Sequence, residues 1–173
     1  MDHFNGFRGT PEGFHPVMSD IAPSADSALR SHAFMAGLAP AQLDTLAHLA
    51  SPITFEESDL ILVDGERSTW FFLLLSGSVA VELRTPSYAV CVQALQAGQV
   101  FGWSALLNDQ DTLFQVRARE RTTALRINGA ALQLACRADP QLGTAILERI
   151  LRVVAGRVRS TEQHFAEMCG VRV

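Results

Sequence analysis

Between Pro52 and Ile127 the sequence is cut into short β-type runs, and this segmentation limits the fold more than any other feature. Ile53–Phe55, Leu60–Val63, Trp70–Leu75, Ser78–Leu83 and Tyr88–Leu95 are separated by Glu57-Ser58-Asp59, Asp64-Gly65-Glu66, Ser76-Gly77 and Thr85-Pro86-Ser87. Two later runs alternate. Leu113–Arg119 puts Phe114, Val116 and Ala118 on one face and Gln115, Arg117 and Arg119 on the other, and Thr122–Ile127 puts Thr123, Leu125 and Ile127 together. Many short strands at regular spacing, with turn signals between them, predict a sandwich, roll or barrel.

Helical texture brackets this region. Ser27–Leu38 and Pro40–Ala50 read as two short helices. The second carries Leu43, Leu46 and Leu49 in a row, with Pro40 suited to its first turn. Ala130–Ala138 reads as a third helix, and Pro140 opens a long one to about Met168. In that helix Leu142, Ile146, Ile150, Val154 and Val158 recur every four residues, flanked by Leu147 and Leu151. The expected organisation is a flexible N-terminal arm over residues 1–26, a roll with flanking helices over 27–138, a C-terminal helix over 139–168 and a tail over 169–173.

Composition removes several function classes. With 48% hydrophobic residues the chain can build a core, and a net charge of −4 argues against broad nucleic-acid affinity, which rests on clustered Lys and Arg. No apolar run approaches the roughly 18–20 residues that span a bilayer, and no basic-then-apolar leader opens the sequence, so a cytoplasmic location is expected. The three cysteines are far apart and form no CxxC pair, so neither a zinc knuckle nor a disulfide framework is expected. The five histidines, His3, His15, His32, His48 and His164, all fall outside Ile53–Ile127. A histidine metal site inside the roll is thereby excluded. No Ser–His–Asp set, P-loop or HExxH motif appears, and Asp64 and Glu66 read as a solvated turn. No catalysis, metal or cofactor is expected.

The stretch Gln96–Ala118 is the candidate site. An extended run leads into Gly98, Val100-Phe101-Gly102 turns the chain, and Trp103–Leu107 reads as one helical turn. Gly102 permits a close backbone approach or a positive φ. The N–H groups of a short helix starting there would face whatever lies in front of it.

The order and spacing of Phe34 and Leu38, Phe55, Asp64-Gly65, Phe72–Leu75 with Ser76-Gly77, Leu95 with Gly98, and Phe101-Gly102 with Ala105-Leu106 resemble the cyclic nucleotide-binding domain. This is the sensor module of Crp/Fnr-type regulators, protein kinase A regulatory subunits and nucleotide-gated channels. The likeness spans Ala33–His164 and implies a mainly-β roll (jelly-roll, double-stranded β-helix) with N-terminal helices and a long C-terminal helix. The wording FGWSAL resembles a bacterial subset of stand-alone domains.

The resemblance also implies a phosphate-binding cassette at the candidate site, comprising Phe101, Gly102, Trp103, Ser104, Ala105, Thr112 and Leu113. In the family a Glu follows the Phe-Gly pair and meets the ribose, and an Arg late in the cassette pairs with the cyclic phosphate. Here Trp103 stands at the Glu position and Thr112, followed by Leu113, at or near the Arg position. No Lys or Arg lies between Phe101 and Val116, whereas Asp109 and Asp111 do. A charge-assisted arginine–phosphate contact is worth roughly 1.5–3 kcal/mol, so its loss costs about tenfold to more than a hundredfold in affinity. Trp103 either fills the cavity or stacks on an aromatic ligand.

The expected function is a non-catalytic regulatory module acting through protein contacts or a non-standard small ligand. The alternative is a genuine receptor for cyclic AMP, cyclic GMP or a cyclic dinucleotide. Crp/Fnr-type regulators place a winged helix after the long helix. Only a few residues follow here, so direct DNA binding is not expected, nor is membrane association. The family often dimerises through the long helix, which makes a homodimer seam of Leu142, Ile146, Ile150, Val154 and Val158 the expected partner surface. The other expected contact is a partner protein, with Arg152 and Arg157 or Arg159 available to an acidic surface.

Overall fold

The computed structural model describes residues 24–107, 111–112 and 114–170. The N-terminal arm expected over residues 1–26 lies almost wholly outside them, as do Asp109, Leu113 and residues 171–173. Among the described residues, four α-helices, α1 (Ala25–Ser31), α2 (Pro40–Leu49), α3 (Gly129–Ala138) and α4 (Pro140–Met168), surround eight strands. The strands are β1 (Ala50–Phe55), β2 (Leu60–Leu62), β3 (Trp70–Ser76), β4 (Ser78–Arg84), β5 (Ala89–Gln96), β6 (Val100–Phe101), β7 (Gln115–Ala118) and β8 (Thr122–Asn128). They form two antiparallel sheets of four, ordered β1-β8-β3-β6 and β2-β7-β4-β5. This is the mainly-β roll with flanking helices that the sequence predicts.

Apolar periodicity divides the interior in two. Between the sheets lie Phe72, Leu74, Val79, Val81, Leu95, Phe101, Val116 and Ala124. On the outer face of the first sheet, Phe71, Leu73, Leu125 and Ile127 pack against Leu29, Leu46, Leu132, Leu142 and Ile146 from the helices. Successive residues of β3 therefore point into different cores, which is why Trp70–Leu75 reads as a continuous apolar run rather than an alternation. Each fully buried aliphatic or aromatic side chain here stabilises the fold by roughly 1.5–3 kcal/mol.

The first predicted helix is interrupted. α1 stops at Ser31, His32 turns extended, and Ala33–Met35 forms a separate 3-10 turn. The His32 ring causes the break. Nδ1 accepts the Phe34 N–H at 3.2 Å, which leaves Nε2–H to donate to the Leu74 carbonyl at 3.2 Å. His32 is thus a satisfied structural histidine. Burial lowers its pKa below 6.5, against a smaller upward pull from the Leu74 carbonyl.

The long helix begins as the sequence indicates, with Pro140 in its first turn and the Asp139 carboxylate accepting from the Gln141 and Leu142 N–H groups. Its proximal half packs on the helical core. The four-residue row does not stay on one face, however. Leu142 and Ile146 are buried in the chain's own core, Ile150 packs against it, and Val158 is 50% exposed. Steps of four residues advance a 3.6-residue helix by about 40° beyond a full turn, so the row winds off the core. Leu142 and Ile146 are therefore not on a free seam, and Leu147 and Leu151, 67% and 65% exposed, do not face the roll. No helix among the described residues is long and apolar enough to cross a membrane.

Candidate functional site

β6 hydrogen-bonds to β3 and carries Phe101 into the roll, where its ring stacks on Phe72 at 4.7 Å between centroids. Gly102 follows with φ 73°. A Cβ there would sit 2.4 Å from the Trp70 carbonyl oxygen, so both the backbone conformation and the close approach call for glycine. A 3-10 turn then spans Trp103–Leu106. Within it the Ala105 N–H donates to the Gly102 carbonyl at 3.0 Å, and the Leu107 N–H to Ser104 at 2.9 Å. The backbone cradle is thus smaller than the sequence suggests, because Ala105 already has an intramolecular acceptor.

The turn is held from behind by α3. Gln133 donates to the Leu106 carbonyl at 2.9 Å, and a Cβ on Gly129 would lie 2.2 Å from the Ala105 oxygen. The tight packing of Gly129 against Ala105 has no local sequence signature, because it depends on two segments far apart in the chain.

Thr112, expected at or near the position of the family's arginine, is tied to the Asp64-Gly65-Glu66 turn. Its hydroxyl donates to the Val63 carbonyl at 2.8 Å, its N–H donates to Glu66 at 3.1 Å, and its carbonyl accepts from Gly65 at 2.8 Å. This threonine holds a loop and offers no cation. The same turn is braced by an Asp64–Arg84 ion pair at 3.7 Å, consistent with a structural role for Asp64. Leu113, the other residue expected here, lies outside the described residues. Arg117 points away from the roll interior, donating to Ser58 at 2.9 Å and pairing with Glu82 at 3.3 Å. Val116 and Ala118 face inward, as their alternation predicts. Gln115 shares the Glu82 carboxylate at 2.6 Å, so this buried amide is satisfied.

A cavity of about 170 Å³ remains in front of Gly102, walled by Phe101, Trp103, Thr112, Phe114, Val116 and Arg157. A second, of about 290 Å³, runs beneath α4 and shares Val81, Trp103, Phe114 and Arg157 with the first. Trp103 is half-buried and packs partly on the helical core, so space persists beside it. The sequence placed Arg157 on an outer helix face. Instead its guanidinium reaches under α4, donates from Nη2 to the Val100 carbonyl at 3.0 Å, and lies 6.0 Å from the Trp103 ring centroid. The available signal was helical phase: Arg157 follows Ile146, Ile150 and Val153 along the inward stripe. Burial lowers its pKa from the ordinary arginine value.

The architecture of a two-sheet roll, a glycine-bounded turn at its mouth and a long helix crossing it agrees with comparison to known proteins. The model of the cyclic nucleotide-binding domain matches residues 52–139, and the chain belongs to that family. Potassium channel AKT6 of Arabidopsis thaliana is 26% identical over 121 residues, covering 65% of this chain. This chain spans 14% of that channel's length. A protein described as cyclic nucleotide-binding from Geobacter metallireducens has a solved structure with a TM-score of 0.66 and 26% identity, covering 75% of this chain and 95% of that one. The regulatory subunit of a cAMP-independent protein kinase A from Trypanosoma cruzi, bound to guanosine, matches at a TM-score of 0.65 and 19% identity, covering 83% of this chain and 49% of that one.

Proposed function

We propose that this domain is a non-catalytic regulatory module that does not hold cyclic AMP or cyclic GMP in the family's usual way. It acts through protein contacts or a different small ligand. The observation that carries this reading is Thr112. Where the family places a phosphate-binding arginine, a hydroxyl is committed to the Val63 carbonyl. Trp103 in place of the ribose-binding Glu points the same way. The Trypanosoma cruzi subunit, alike in fold, is bound to guanosine, a nucleoside without phosphate. The roll as an architecture is therefore compatible with ligands other than a cyclic phosphate.

Calorimetric titration with cyclic AMP, cyclic GMP and cyclic di-GMP should give no binding at micromolar concentration. Micromolar affinity for any of them would make the domain a genuine cyclic nucleotide receptor and overturn this reading.

The partner surface is proposed to be a second copy, in the cytoplasm, docked along the outer face of α4. Leu147, Leu151, Val158 and Phe165 are 67%, 65%, 50% and 65% exposed. Their steps of four, seven and seven residues keep them on one stripe. Light scattering should report a dimer that Leu147→Asp with Leu151→Asp dissociates. A strict monomer at high concentration would remove this surface.

A further inference from the structure

Arg157 is a partly buried cation with too few partners. Its one hydrogen bond among the described residues runs from Nη2 to the Val100 carbonyl, and its Nε is buried with no acceptor. None of the ion pairs among the described residues includes it. Arginine does not shed its proton in a protein, so it cannot relieve this by becoming neutral. An uncompensated charge out of water is costly unless something of opposite sign reaches it. Arg149, eight residues earlier on the same helix, shows the contrast: its guanidinium donates to the Phe34, Ala36 and Ala145 carbonyls. Besides a cavity of about 420 Å³ beside Gly98 and Gln99, Arg157 adjoins two that share Trp103 and Phe114, of about 170 Å³ and 290 Å³.

We infer that these cavities form a binding site for a small aromatic carboxylate, with Arg157 gripping the carboxylate and the Trp103 and Phe114 rings enclosing the apolar body. The inference rests on the reading of this domain as a module for a non-standard ligand. Three features set the chemistry. The shared lining is apolar and aromatic, contributed by Val81, Trp103 and Phe114. The planar guanidinium suits a bidentate carboxylate. Asp111 lines the smaller cavity and Glu162 the larger, so a second negative charge on the ligand meets repulsion. Asp111 is itself only loosely balanced, by Arg67 at 3.9 Å. A monoanion is therefore preferred over a phosphate dianion. At about 170 Å³ the cavity before Gly102 falls below the ~300 Å³ usual for drug-sized ligands, which favours a single-ring acid.

The chain has two tryptophans, so Trp70→Phe leaves Trp103 as the sole indole reporter. In that background the full chain is titrated with phenylacetate, its uncharged isostere phenylacetamide, and phenyl phosphate. Phenylacetate should change Trp103 emission saturably, with phenylacetamide about tenfold or more weaker and phenyl phosphate intermediate. Arg157→Gln should abolish the preference for acid over amide, and Arg157→Lys should retain part of it. Equal binding of acid and amide, a preference that survives Arg157→Gln, or absence of saturable phenylacetate binding each overturns the inference. If Arg157→Gln fails to fold, the acid-to-amide ratio in the unsubstituted site still decides. Failure of the broader reading is separately visible. Micromolar cyclic AMP binding unaffected by Arg157→Gln would restore the cassette as the receptor, whereas the acid–amide comparison judges the Arg157 site alone.

Discussion

The two halves of α4 carry the same kinds of residue and put them to different uses. Before Val153 the helix is part of the core. Leu142 and Ile146 are 1% and 4% exposed, and Arg149 binds the Phe34 and Ala36 carbonyls at the 3-10 turn and the Ala145 carbonyl of its own helix. Beyond Val153 the helix crosses the mouth of the roll, Val158 and Phe165 are exposed, and Arg157 adjoins three cavities with one hydrogen bond. The proximal half is built to hold position. The distal half is built with unsatisfied groups on both sides, a cation inward and an apolar stripe outward. Composition alone does not separate these roles; what a side chain meets does.

The largest test of this contrast is truncation along the helix. Ile146→Ala should cost about 2–5 kcal/mol in chemical denaturation, as buried aliphatic truncations do. Val158→Ala should change stability by no more than about 0.5 kcal/mol under dilute, monomeric conditions. Comparable losses at both positions would show that the distal half is as tightly packed as the proximal one.

The arginines give the next comparison. Arg149→Ala removes three charge-assisted hydrogen bonds from a half-buried side chain and should destabilise by roughly 2 kcal/mol. Arg157→Gln should cost less than about 1 kcal/mol, because the desolvated charge it removes is poorly compensated in the fold. A larger loss at Arg157 than at Arg149 would reverse their assignment as ligand-binding and structural groups.

A smaller effect should appear with pH. His32 holds the same turn that Arg149 clamps, and it does so in the neutral form. Its folded pKa is lowered below 6.5, chiefly by burial, so the unfolded chain binds more protons as the medium acidifies. The contribution to stability is complete above about pH 6.5 and is lost as pH falls from there through the folded-state value. Its slope is at most about 1.4 kcal/mol per pH unit. Denaturation midpoints at pH 7.5 and pH 5 should differ in the parent and differ less in His32→Asn. Equal pH dependence in both would remove His32 as the source.

Strand texture was legible because a half-buried strand writes its environment into every second residue, as Val116, Ala118 and Arg117 do. It was also legible in β3, where two-sided burial leaves the unbroken run from Phe71 to Leu74. The turn at Gly102 could be read from the glycine and its neighbours. Helical phase was harder to read. A row at every fourth residue looks like a face, yet Leu142 and Val158 lie about 160° apart around the axis. The same slip hid Arg157, which lies on the inward stripe with Ile146, Ile150 and Val153 but carries the charge expected of an outward position. The break at His32 was missed for another reason. Its cause is an acceptor on Leu74, 42 residues away, that no local window contains.

Phe71 and Phe72 are neighbours in the chain and belong to different cores, one beneath the helices and one against Phe101 in the roll. β3 thus acts as a party wall, and its reading frame matters as much as its composition. Removing one residue from this strand would exchange the two sides, setting the large rings of one core against the Ala124 and Leu125 surfaces matched to the other. Length changes should be rejected here and tolerated at the exposed Thr85–Tyr88 turn, so the wall behind the cavity keeps its count even where its side chains can vary.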